Sequence, residues 1–433
     1  MNRNVLLFSG MFALIAIVGF TQSWSVALTI FNLCLISSIM ALGVNIQWGY
    51  AGLFNVGVMG FAALGGIAAV LVSKPPIPET WAVGGIGIGL SLLALIGTIV
   101  AIWATRRYIR GRWRNLATGL TIIAGFFIIR AIFDPAVHAI EAFEPAKTGY
   151  LGGLGLPIIF SWLVGGVFAA AGAWLVGKIA LGLRTDYLAI ATLGIAEIII
   201  AVLKNEDWLT RGVKNVAGLS RPVPREIALQ NSDWFIALAD RLGTNVITFS
   251  SIFVKLSYSL LFATVLLIIL WLSERALKSP WGRMMRAIRD NRDAAEAMGK
   301  DVTGRHLQVF ILGSAVVGIA GAMLTTLDGQ FIPTSYNPLR FTFLIWVMVV
   351  VGGSGNNWGA VLGGFLIWFV WIEAEPAGTW FMDLVTSGML ESSALRAHLI
   401  EAAPHMRLVI MGLILLLVLR FSPRGLIPEK SGR

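Results

Sequence analysis

The sequence predicts an all-α fold, a polytopic bundle of roughly ten to twelve transmembrane helices, on three observations. Charged residues make up only 13% of the 433 residues, about half the ~25% of a soluble chain. Hydrophobic residues make up 57%, and they gather in runs close to the roughly 20 residues needed to cross a bilayer. Most of the lysine and arginine falls between those runs, so most of the surface is matched to lipid. One membrane domain over residues 1–433 is the simplest reading.

The first run, Val5–Phe20, follows a single early arginine and has no small-x-small cleavage pattern behind it. It is therefore expected to be a first spanning helix and not a removed signal peptide. Further runs occur at Ser25–Ile46, Gly52–Val72, Ala82–Ala104, Leu116–Phe133, Leu156–Leu181 and Tyr187–Leu203. After a polar stretch over 204–250 with Pro222 and Pro224, they resume at Ile252–Leu272, Leu307–Leu327, Phe341–Val351, Ala360–Ile372 and Arg407–Phe421. Cys34 is the single cysteine and lies in an apolar run, which leaves no internal disulfide and no redox pair.

Sidedness can be read by counting Lys and Arg. With all twelve runs crossing, one face holds Arg3, five arginines in Arg106–Asn115, Arg184, eight basic residues in Ser273–His306 and four in Arg420–Arg433, nineteen in all. The other holds ten, among them Lys74, Lys147, six over 204–250, Arg340 and Arg396. The richer face, with both termini, is expected to be cytoplasmic. The acidic stretch Glu373–His405, with Glu391, is expected outside, and the 204–250 segment is expected to fold over the outer mouth. This distribution also accounts for the net charge of +10 without nucleic acid, and makes membrane lipid the surrounding partner.

Chemistry-bearing motifs are few. Gly172–Lys178 fits the first seven positions of a phosphate-binding loop, but Ile179 stands where Ser or Thr is needed, and the segment lies inside a spanning run. Neither HExxH nor GxSxG occurs. His138, His306, His398 and His405 fall at loops or run ends, where surface histidines are the default. No catalytic or metal site is assigned.

The most informative stretch is Ser279–Asp301. Ser279 and Pro280 supply a helix start and Gly299 a stop, predicting one helix between them. Met284, Ile288, Ala295 and Met298 offer an apolar stripe, while Arg283, Arg286, Arg289 and Arg292 drift around it among Asp290, Asp293 and Glu296. Such a helix suits a cytoplasmic protein partner or anionic headgroups. Two breaks stand out elsewhere. Asn45, Gln47 and Asn55, with Gly49, Gly52 and Gly57, interrupt the apolar sequence and suit either a substrate path, as in broken transporter helices, or an ordinary turn. Gly352–Asn357 reads better as a tight turn. Glu197 is the acid well inside an apolar run, with Thr192 five residues earlier. A charge there is costly in lipid and is expected to face the bundle interior or a cavity, pairing with a helix neighbour or contacting a substrate amine.

Five segments carry a family resemblance. Asp293–Gly299, DAAEAMG, is similar to the coupling loop of ABC importer permeases. Ala41–Gly57, Thr185–Ile199, Val349–Gly364 and Arg420–Pro428 resemble, in order, further signatures of the LivM-type permeases of branched-chain amino-acid importers. The resemblance implies an inner-membrane permease without its own ATP site. Its implied partners are a homologous second permease, two cytoplasmic ATPases carrying ATP and Mg²⁺, and a periplasmic binding protein. It also implies that Arg283, Arg286, Arg289, Asp290, Asn291, Ala294, Ala295, Met298 and Gly299 belong to the segment that meets the ATPase. Against the family pattern, 74–150 reads as an inserted helical hairpin, which preserves the sidedness of every later helix. A same-family permease for urea or amides and an ion-driven secondary transporter are the competing readings. The second usually requires several ionisable groups at mid-membrane.

Overall fold

The computed structural model describes residues 3–111, 113–145, 148–389 and 393–429. Arg112, Lys147, Glu391, Lys430 and Arg433, weighed above for sidedness, lie outside these. Each of the twelve apolar runs contains a helix. They form α1 (Arg3–Thr21), α2 (Trp24–Ala51), α3 (Val58–Ser73), α4 (Pro78–Tyr108), α5 (Trp113–Ala142), α6 (Phe160–Ala180), α7 (Thr185–Asn205) and α8 (Val246–Lys278). Two short helices, α9 (Pro280–Asp290) and α10 (Arg292–Ala297), lead into α11 (Val302–Asp328), α12 (Pro338–Gly352), α13 (Asn357–Thr386) and α14 (Met406–Phe421). Among the described residues, ten helices are long and apolar enough to span a bilayer, counting α14 together with the short helices before it as Ala394–Phe421, whereas α3 and α12 are shorter.

Alternate faces of α2, α3, α11, α12 and α13 build the core, and α2 is buried along most of its length. Glycines let three backbones meet at one point. A Cβ on Gly65 of α3 would overlap the Gly318 carbonyl of α11, and one on Gly318 would press on Gly165 of α6. Small residues at such crossings gain dispersion contacts that lipid tails do not supply. In contrast, α4 and α5 pack on each other and are exposed along nearly their whole length. They join the body at one end, where Trp81 Nε1 and Thr80 Oγ1 donate to the carbonyls of Leu151 and Tyr150, and Trp208 N donates to Glu141.

The connecting segments sort into two groups, one at each end of the bundle. At one end, β1 (Val216–Ala217) pairs antiparallel with β2 (Gln330–Phe331), Lys74 Nζ donates to Gly218 O at 3.0 Å, and Pro76 bridges Gly152. Short helices at Glu226–Gln230 and Asp233–Arg241 fold back on α8, with Phe235 fully buried and stacked on Phe249. At the other end, the turn after α12, the segment carrying α9 and α10, and the tail over 424–429 meet the end of α2. These are the two groupings that the charge count assigned to opposite faces.

Four expectations are corrected. Gly52–Val72 is not helical throughout: Gly52 adopts a left-handed φ of 69° and closes α2, and α3 starts only at Val58. The polar segment is not one helix between Ser279 and Gly299. Ser279 does cap α9 through Gly282 N, but Asn291 is extended (φ −153°) and its side chain caps a new helix through Ala294 N. His306 is not at the surface; it is buried on α11 with no partner for Nε2. Finally, Glu197 is exposed on the outside of α7, because Leu188, Thr192, Ala196 and Ile200 take the inward face.

Candidate functional site

The break after α2 is held by a buried polar network. Gln47 Nε2 donates to the Phe310 carbonyl and to Ser314 Oγ, both at 3.0 Å, while its Oε1 accepts from Asn55 Nδ2 at 2.9 Å. Asn55 Oδ1 accepts from Gly57 N and its carbonyl from Trp346 Nε1. Val56 N donates to Thr192 Oγ1 at 3.0 Å. A second cluster is centred on Asn357, whose Oδ1 accepts from Asn45 Nδ2 and the Tyr50 hydroxyl and whose Nδ2 donates to Glu274. Gly355 N completes it by donating to Asn45 Oδ1.

Gln47, Asn55 and Thr192 are thus brought together at the break and Asn45 joins the Asn357 cluster, each at 1% exposure or less. A buried polar group left unpaired costs roughly 1–3 kcal/mol, which these bonds avoid, so the polar residues hold the non-helical segment in place. Glu197 is not part of this group. Tyr50, Glu274 and Trp346, which complete the network, carry no local motif.

Below the break lies the segment with α9 and α10. Met285 and Ile288 are buried and fasten α9 to the bundle; Met285 was missed because the expected stripe ran through Met284. The two helices also enclose an open groove of about 670 Å³, with Met284, Ala287, Ile288, Ala294 and Ala295 in its lining and Lys300 and Arg305 among its polar residues. Met298 also lines it and is 79% exposed, so that this thioether side chain covers nothing within the chain. Gly299, at φ 74° with open space around it, turns the chain out of α10.

The arginines divide by face. Arg283 donates to the Lys278 carbonyl, and Arg292 pairs with Glu296 at 3.0 Å on the surface. Arg286 and Arg289 instead turn inward to Glu429 of the tail, at 3.8 and 3.0 Å. Arg289 also donates to the Gly49 carbonyl of α2 and pairs with Asp290. Burial works against its charge, but the bonds to Glu429 and Asp290 outweigh it and raise its pKa. Arg289 therefore ties together α9, α2 and the tail. The tail in turn is bound to the turn after α12: Leu426 N and Ile427 N donate to the Val351 and Gly352 carbonyls, and Asn356 Nδ2 donates to the Pro428 carbonyl.

One more charge lies inside a spanning helix. Lys255 of α8 donates to Ser25 Oγ and to the Ser25 carbonyl, and the sequence reading passed over it. Among the described residues, no group of three or more His, Cys, Asp or Glu is placed to hold a metal ion.

The family described as the permease component of branched-chain amino acid transport systems matches residues 26–419. The chain is 24% identical to a probable branched-chain amino acid transport permease protein LivM of Methanocaldococcus jannaschii, over 90% of each chain. It is 30% identical to the high-affinity LivM permease protein of Escherichia coli, over 58% of this chain and 59% of that one. A probable LivH permease protein of M. jannaschii is 26% identical, over 62% of this chain and 74% of the relative. No solved structure matches.

Proposed function

Because the chain belongs to the branched-chain amino acid transport permease family, we propose that it is the membrane-spanning subunit of an ABC importer for branched-chain or other hydrophobic amino acids. In this reading it pairs with a second, homologous permease, and a periplasmic binding protein delivers the solute. Two cytoplasmic ATPases hold the ATP and Mg²⁺. The membrane is the bacterial inner membrane, and the end of the bundle carrying α9 and α10 faces the cytoplasm, where the excess of Lys and Arg belongs.

The observation that carries this reading is the open groove of α9 and α10. It presents an apolar floor with a basic rim on a segment tied by Arg289 to the end of α2, beside the break. A groove of this kind takes an amphipathic element from a partner, and a partner whose fit differs between two states shifts the permease between its own two states. Docking is tested by Ala295→Asp, which puts a charge into the groove floor. The variant is expected to insert normally while losing co-purification of the ATPases and solute uptake. Wild-type co-purification and uptake would rule docking out.

The outward face of α7 supports the second-permease pairing. Gly194 and Glu197 sit there with Ile190 and Ile198, and an ionised carboxylate facing lipid at mid-helix costs about 2.5–3.5 kcal/mol or more. A facing permease, with the solute path between the two, removes that cost. Glu197→Gln is expected to weaken uptake roughly tenfold, as for loss of a charge-assisted hydrogen bond, with insertion unchanged. Unchanged transport kinetics would take Glu197 out of the path.

A further inference from the structure

We infer that the cavity between α2, α11, α12 and α13 is a binding site for an aliphatic α-amino acid, with Asp328 receiving its ammonium group. The inference rests on the reading of the chain as an amino-acid permease and adds to it a site inside this one subunit, separate from any path between two permeases.

The cavity has a volume of about 220 Å³. At ~30 Å³ of liquid per water, it has room for a small solute. Its inner wall is aliphatic: Ile36 and Met40 of α2, Met59 at the start of α3, and Ile345 of α12 are each at most 6% exposed. A branched hydrocarbon side chain is the group this wall accepts. The mouth is polar. Asp328, the last residue of α11, and Ser335, in the connection to α12, both line the cavity and are exposed to the outside. Ser37 adds a hydroxyl deeper in.

Two features point to a ligand and not to packing alone. Among the described residues, the Asp328 carboxylate is the one ionisable group in the lining, and no basic residue shares that lining, so a charge is offered at the mouth of an apolar chamber. Trp368 lines the same cavity, and its indole Nε1 is buried with no hydrogen-bond partner. Buried donors are nearly always paired, and an orphan one on a cavity wall marks where an acceptor is missing. A zwitterion answers both: its ammonium goes to Asp328, its carboxylate to Trp368 Nε1 and the serine hydroxyls, and its side chain to the aliphatic wall. A few convergent polar groups on an apolar pocket are the usual form of a small-molecule site.

The test uses the full-length permease in lipid nanodiscs, without ATPases or binding protein, titrated with L-leucine by equilibrium dialysis. Saturable binding is expected. Binding of 4-methylpentanoate, which lacks the ammonium group, and of leucinamide, which lacks the carboxylate, is expected to be weaker by about tenfold or more, the factor for one charge-assisted hydrogen bond. Asp328→Asn is expected to remove the preference of leucine over 4-methylpentanoate, and Trp368→Phe the preference over leucinamide, in protein that elutes as the wild type does. Absence of saturable binding, equal binding of leucine and 4-methylpentanoate, or preferences untouched by both substitutions would overturn the inference. Should the assembled importer still drive ATP-dependent leucine uptake in that case, the cavity site alone falls and the permease reading stands.

Discussion

Arg289→Ala is expected to separate ATP hydrolysis from transport. The Arg289 side chain is 24% exposed, and its guanidinium holds three parts at once: the α2 carbonyl at Gly49, Glu429 of the tail, and Asp290 beside it on α9. Removing it leaves the Gly49 carbonyl without this donor and Glu429 with only the longer contact to Arg286. The groove proposed to receive the ATPase is untouched, since neither Arg289 nor Glu429 lines it. Docking and hydrolysis are therefore expected to persist, while the connection from α9 to the end of α2 is lost. Coupling free energies of ~1–3 kcal/mol correspond to about 5–150-fold, and a partly buried charge with several bonds belongs in the upper part of that range. The measurement is moles of solute taken up per mole of ATP hydrolysed in proteoliposomes. A ratio equal to wild type would show that the arginine only packs. Lys is a point charge without the planar fork, so Arg289→Lys is expected to restore a fraction of the ratio.

Gly65→Val is expected to have the largest effect on assembly. At this position α3, α6 and α11 approach through Gly65, Gly165 and Gly318, and the first atoms a side chain would meet are the backbone atoms of Gly318. No rotamer relieves a clash with backbone, so whole helices have to move apart. Over-packing of a core costs typically 1–3 kcal/mol, and separating two backbones belongs at or beyond the top of that range. The yield of monodisperse protein in detergent and its melting temperature report the loss. Gly97→Val, on α4 with nothing within 4 Å, is the matched control and is expected to behave as wild type. Equal behaviour of the two variants would show that the three-helix crossing tolerates separation.

The range of the forces involved decided how much of this molecule was legible in its sequence. Every apolar run yielded a helix, though not over its full length, because hydropathy over a bilayer's thickness is a local property. The break after α2 was legible in its Asn, Gln and Gly residues, but its extent to Val58 was not, because Leu53, Phe54 and Val56 continue the apolar pattern. The groups that keep it extended are distant in the chain: Thr192, Trp346 and the α11 groups that bind Gln47. The inward turn of Arg289 had the same cause, since its anchor Glu429 lies 140 residues away. Asn291 did carry a local signal, as a capping residue inside a helical pattern, and reading it as such would have divided the segment correctly. The rotation of α7, which carries Glu197 to the outside, left no trace in a helix apolar on nearly every side. Likewise Asp328 and Trp368 are unremarkable in sequence and acquire meaning only as two walls of one chamber.

The leaf formed by α4 and α5 shares little buried surface with the body and, among the described residues, is fastened near Thr80, Trp81, Glu141 and Trp208. All-or-none unfolding depends on interiors that stand or fall together, and here that condition holds for the body alone. Loosening of the leaf is thus a separate equilibrium of its own, with a lower free energy than rupture of the glycine crossings. A single melting temperature for this molecule describes its body and leaves the leaf uncounted.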